Sequence, residues 1–161
     1  MLSRRSKYGL KALLALADEE GRGPVQASEL ALRQRLPKKF LESILLDLTR
    51  HGLLQSRKGR GGGYLLNRPP GDITLGEVIR ILNGPLALVP CVSRTAYSRC
   101  EECVDEATCG VHLAMREVRD ATARILDHAT LAGLGAQVRT SRARRGGRGR
   151  RVARDGGSRR A

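Results

Sequence analysis

The 161-residue sequence predicts a mostly α fold: a winged helix-turn-helix domain with a β-hairpin wing and a long C-terminal dimerisation helix. Three observations carry this expectation. Apolar residues recur at spacings of three and four through the first fifty positions, interrupted by Gly and Pro. LLQSRKGRGGGYLLNR, residues 53–68, then switches to two short extended runs around a glycine-rich tip. A longer amphipathic pattern follows a loop that holds all four cysteines.

The first helix is expected over Ser3 to Asp18, with Leu10, Leu13, Leu14 and Ala17 as its apolar stripe. Gly21, Gly23 and Pro24 end it. A second helix is expected from Gln26 to Leu36, with Leu30 and Ala31 facing inward. Pro37 opens the third, because proline's missing N–H has no partner at a helix start. Leu41, Ile44, Leu45 and Leu48 give that helix its buried face, and Gly52 can take a left-handed cap after it. Beyond the hairpin, Thr74 and Glu77 form a capping box, and Ile73 with Val78 a hydrophobic staple, for a short helix to about Leu82. These elements make up a unit of residues 1–85. A cysteine-rich loop follows at 86–109, then one helix at 110–132 with Val111, Met115, Val118, Thr122, Ile125 and Ala129 on one side. A helix of that length spans about 30 Å. This small domain cannot cover its apolar side, so a second copy of the chain is expected there. Residues 133–161 are rich in Gly, Arg and Ser and are expected to be disordered.

The net charge of +14 is unevenly placed. From Arg139 onward there are ten arginines against one acid, Asp155. Such a field draws polyanions, and the tail is either a DNA-touching arm or a solubilising one. With three Tyr, one Phe and no Trp, the core must be aliphatic. No run of about 18 apolar residues occurs, so no membrane span is expected. The basic, apolar opening is not a leader peptide on this reading: Lys11 interrupts it, and Asp18, Glu19 and Glu20 stand where small residues would be needed. A cytoplasmic location is expected.

Two helices joined by a short turn, the second with a basic first turn, suit the major groove of double-stranded DNA. Lys38 and Lys39 occupy that turn; Arg57, Lys58 and Arg60 crowd the hairpin. Gly61, Gly62 and Gly63 would let its backbone approach phosphate closely. The alternative, a plain helical bundle with solvated lysines, leaves the hairpin without a role. The run is not GxxxxGK[ST], so a nucleotide loop is not indicated.

The second constellation is Cys91-x8-Cys100-x2-Cys103-x5-Cys109, with His112 three residues on. Four cysteines within nineteen positions and none elsewhere point to metal or redox chemistry. Thiolates select iron–sulfur clusters, zinc or copper(I). Only Cys100 and Cys103 form a tight pair, which suits a loop-held cluster better than a zinc finger. Zinc and metal-free, oxidant-sensing thiols remain open. His112 could join the same site. His51 is expected to cap the third helix, and His128 to lie on the surface of the long one. No Ser/His/Asp grouping, carboxylate pair or HExxH calls for an enzyme.

SRRSKYGLKALLALA, PKKFLESILLDLTRHGLL, GRGGGYLL and ITLGEVI followed by the cysteine loop resemble the Rrf-two (Rrf2) regulators, which include IscR-type and NsrR-type repressors. The resemblance covers about residues 1–132. It implies a homodimeric bacterial transcription factor whose DNA binding is tuned by an iron–sulfur cluster, 2Fe–2S preferred to 4Fe–4S. It places Cys91, Cys103 and Cys109 at ligand positions. The gap between Cys91 and Cys103 is longer than in the family and contains Cys100, so the fourth ligand is Cys100 or His112. It also places Lys7, Lys38, Lys39 and Glu42 where the family touches DNA, and Lys58 on the wing in the minor groove. Glu42 either pairs with Lys38 or Lys39, or accepts from a cytosine amine.

The function expected is cluster-dependent transcriptional control, with a reordered cysteine loop changing the spacing of two recognition helices. One alternative is a metal-free DNA-binding regulator with a thiol redox or small-ligand switch. Another is a small iron–sulfur redox protein.

Overall fold

The computed structural model describes residues 2–155. Helix α1 (Arg4–Asp18) starts at Ser3, whose Oγ accepts the Ser6 N–H at 3.1 Å. Its buried face is Ser6, Gly9, Ala12, Leu13 and Leu16. That face is turned from the expected stripe, since Leu10, Leu14 and Ala17 are only half-buried. Gly9 and Ala12 are small residues on that face, and a Cβ on Gly9 would meet the Leu82 side chain, so glycine lets α4 pack closely there.

Helix α2 (Ala27–Gln34) ends at Arg35, a non-glycine residue in the left-handed region, with φ 53°. Pro37 caps α3 (Lys38–Arg50) from outside rather than occupying its first turn. Leu41, Ile44, Leu45 and Leu48 are all fully buried, as their spacing predicts. His51 caps the helix, its ring 2.8 Å from the Asp47 carbonyl, and Gly52 adopts φ 75°.

Strands β1 (Leu54–Arg57) and β2 (Gly63–Leu66) are antiparallel, with Leu54 opposite Leu66 and Arg57 opposite Gly63. Val25 adds a third edge through paired 2.9 Å bonds with Tyr64, fastening the wing to the segment before α2. A 3-10 turn at Pro70–Asp72 leads to α4 (Leu75–Asn83). Thr74 Oγ1 accepts the Glu77 N–H, but the Glu77 carboxylate takes Arg68 Nη2 at 2.6 Å. Only half the capping box therefore forms. Ile73 and Val78 are both fully buried.

A 3-10 turn at Pro90–Val92 precedes α5 (Gly110–His128) and α6 (Leu131–Asp155). The single helix expected over 110–132 is thus interrupted. Leu75 N donates to the Ala129 carbonyl at 2.8 Å and Leu131 N to the Ile73 carbonyl at 3.0 Å, which holds 129–130 out of helical geometry. The disorder expected from 133 is also corrected as far as 155. Leu131 is fully buried and Leu134 half-buried, and arginine and alanine are good helix formers. Arg139 Nη1 reaches Asp18 at 3.5 Å, tying α6 to α1. The disorder expected of residues 156–161 lies outside the described residues. No helix among the described residues is long and apolar enough to cross a membrane.

Candidate functional site

Lys38 and Lys39 are exposed on the first turn of α3, where the left-handed Arg35 directs the chain from one helix into the next. Tyr8 meets Phe40 edge-to-face, ring centroids 5.8 Å apart, which locks α1 against that turn. Arg5 pairs with Asp47, fastening the two helices again farther along α3. Lys7, next to Tyr8, is exposed and is presented from α1. Glu42 lies 3.8 Å from Lys38 Nζ, an i,i+4 pair that leaves both groups largely in solvent. Sequence reading overlooked Arg35 and Phe40; the signal for Arg35 was its place in a three-residue turn between helices.

Arg57, Lys58 and Arg60 are exposed around the hairpin tip. Two of its three consecutive glycines are required by packing within the chain. A Cβ on Gly62 would meet the Arg57 carbonyl, and one on Gly63 the Val25 carbonyl, so the wing's own backbone packing demands both. Gly61, with φ 82°, faces open space.

The cysteine loop is folded back on α5. Arg119 Nη1 donates to the Val92 carbonyl at 2.5 Å, and Arg94 pairs with Asp120 at 3.1 Å. Within the loop, Tyr97 donates its hydroxyl to Glu106, and Arg99 to the carbonyls of Cys103 and Val104. Cys91 is 5% exposed; Cys100, Cys103 and Cys109 are half-buried, and none is in a disulfide. The four thiols influence one another, Cys100 being within reach of Cys91, Cys103 and Cys109. Cys100 sits against Cys91, whose hydrogen bond, with desolvation, pushes its thiol above the ordinary range. Desolvation and Cys109 raise Cys103 likewise. Cys109 is held below the ordinary range by the His112 and Val111 N–H groups at the start of α5.

Among the described residues, no three His, Cys, Asp or Glu side chains converge as a metal-ligand set. The donor chemistry nevertheless fits a thiophilic centre. Four thiols share one loop, and His112 Nδ1 is buried beside them in sequence with no hydrogen-bond partner. His112 therefore is not the surface histidine that its spacing alone would allow. His128 is exposed, bonded to the Arg124 carbonyl.

No residue of α5 is buried. Val118 and Ile125 are 40% and 67% exposed along its expected seam, and Met115 is half-buried.

A family model described as "Iron-dependent Transcriptional regulator", Rrf2, matches residues 2–137. An HTH-type transcriptional regulator of Rhodobacter capsulatus described as rrf2-like is 45% identical over 134 residues, covering 81% of this chain and 89% of its own. Among solved structures, CymR, the global cysteine regulator of B. subtilis, superposes with a TM-score of 0.70 at 31% identity, over 85% of this chain and 97% of its own. T. potens IscR superposes with a TM-score of 0.69 at 29% identity, over 86% and 88% of the two chains. These relatives are transcriptional regulators and not enzymes.

Proposed function

The chain belongs to the Rrf2 family and is a DNA-binding transcriptional regulator; from that premise we propose that its operator affinity is set by an iron–sulfur cluster held in the loop at 86–109. The observation that carries the proposal is the docking of that loop. All four thiols lie on a segment tied by Arg119 and Arg94 to α5, and α5 is tied through Ala129 and Leu131 to the residues that start α4. Cys91, Cys103 and Cys109 would be ligands, with Cys100 or His112 in fourth place. A bound cluster would supply an iron- and oxidant-responsive crosslink among these side chains. The "iron-dependent" description of the matching family supports this reading.

The residues of the DNA face act by position and charge. Lys7, Lys38 and Lys39 meet phosphate and base edges at the major groove, while Arg57, Lys58 and Arg60 meet the neighbouring backbone. Glu42 holds Lys38 until DNA competes for it. Two copies joined along α5 present two recognition helices to a palindromic site. Rearrangement of the loop alters the angle of α5 and hence their separation.

A second reading has specific support. Four free thiols lie within influence of one another on one loop, which suits a metal-free thiol switch. The redox-protein alternative has no support among the relatives. Anaerobic purification followed by iron counting, visible absorption and operator binding tests the main reading. It expects about two iron atoms per chain and a visible band. Colourless, iron-free protein that still binds its operator would hand the function to the thiol switch.

A further inference from the structure

A cleft of about 430 Å³ opens at the base of the wing, between the end of α1 and the two strands. Its size falls in the lower part of the range of about 300–1,000 Å³ occupied by small-molecule sites. Leu16, Pro24 and Leu66 supply apolar wall, and Glu20, Arg57 and Arg68 supply charge. None of this belongs to the DNA face or to the cysteine loop, apart from Arg57.

The charged groups have unused capacity. Arg68 gives Nη2 to Glu77, but its side chain stays 38% exposed where it lines the cleft. Arg57 and Glu20 form no ion pair among the described residues, whereas the neighbouring Glu19 is taken by Arg33 and Arg22. The cleft thus offers cationic donors, a spare carboxylate and an apolar wall between them. A molecule that satisfies all three carries a carboxylate and an ammonium on a small, partly apolar body.

We propose that this cleft is an effector site for a free α-amino acid. The ligand carboxylate accepts from the guanidinium groups of Arg57 and Arg68, and its ammonium donates to Glu20. Arg57 is the last residue of β1 and precedes Lys58 at the tip, so a ligand that holds it in the cleft removes one cation from the DNA-facing wing. This last step rests on the wing's role at DNA; ligand binding itself does not.

The test uses the full chain without DNA. Each of the common L-amino acids is titrated calorimetrically, beside its N-acetylated and carboxamide forms. At least one free amino acid should saturate the protein, and both blocked forms should bind about tenfold more weakly or not at all. Glu20→Gln, an exposed change that leaves the fold intact, and Arg57→Gln should each weaken binding about tenfold. The active amino acid should then lower operator affinity of the wild-type chain but not of Arg57→Gln. The site assignment fails if no amino acid binds up to about 10 mM, if the N-acetyl form binds equally well, or if both variants bind like wild type. Ligand binding with unchanged operator affinity would overturn the wing coupling alone, and normal operator binding by a chain that takes no amino acid would overturn the cleft while sparing the DNA assignment.

Discussion

Arg119 donates from α5 to the backbone carbonyl of Val92, one residue beyond the buried Cys91. Its side chain is 14% exposed, whereas Arg94, which makes the other tie between loop and helix, is 74% exposed. The two ties therefore differ in weight. Arg119→Ala strands a partly buried carbonyl and should lower unfolding free energy by about 1–3 kcal/mol. Arg94→Ala removes a solvent-screened pair and should change it by less than about 1 kcal/mol. Denaturant titration of the two variants measures the difference; equal losses would mean that Arg119 is not what holds the loop.

Lys58→Ala should weaken binding to operator and to unrelated duplex alike, and reduce the salt slope by about one. Lys58 is exposed at the wing tip, and phosphate contacts of this kind gain from counterion release. Fluorescence anisotropy across a salt series reads the slope directly. An unaltered slope removes the wing from the DNA face.

Val118→Asp should convert a dimer to monomers with poor operator affinity. Val118 and Ile125 are exposed on a helix with no fully buried residue, and a carboxylate in the proposed seam would have to be desolvated. Sedimentation velocity decides the matter, and a variant that stays dimeric moves the seam elsewhere.

Cys91→Ala, Cys103→Ala and Cys109→Ala should each abolish the visible band of anaerobically purified protein, since each removes a proposed thiolate ligand. The fourth place separates two variants. If the ligand is Cys100, Cys100→Ala shifts or loses the spectrum and His112→Ala does little; if it is His112, the effects exchange. The unpartnered His112 Nδ1 gives the imidazole a stronger claim than its spacing alone. Iron retained in all four cysteine variants would refute the cluster.

The recognition unit was legible because its signals are local. Leu41, Ile44, Leu45 and Leu48 repeat with the helical period and are all buried, and Lys38 and Glu42 stand four apart and pair. Reading failed where a distant segment competes. Arg68 draws Glu77 out of its capping box, and Ile73 and Leu75 bend 129–130 out of a pattern that remains helical on paper. Small residues misled too: Gly9 and Ala12 carry the buried face of α1 but weigh little beside Leu10 and Leu14. In the loop, the sequence names the thiols but not their neighbours, and Arg119 looks like any surface arginine until its acceptor 27 positions away is known.

The break between α5 and α6 has a mechanical consequence. Ala129 and Leu131 are clamped by backbone bonds to Leu75 and Ile73, while the opposite end of α5 begins at the cysteine loop. The helix is then a lever with its pivot beside the DNA-binding unit and its handle at Cys109. Its 19 residues give an arm of about 28 Å, so a tilt of about 10° at Thr130 sweeps the handle through about 5 Å. Read in reverse, a displacement of a few ångströms among the thiols arrives at the start of α4 as a small rotation, geared down and applied to a rigid core.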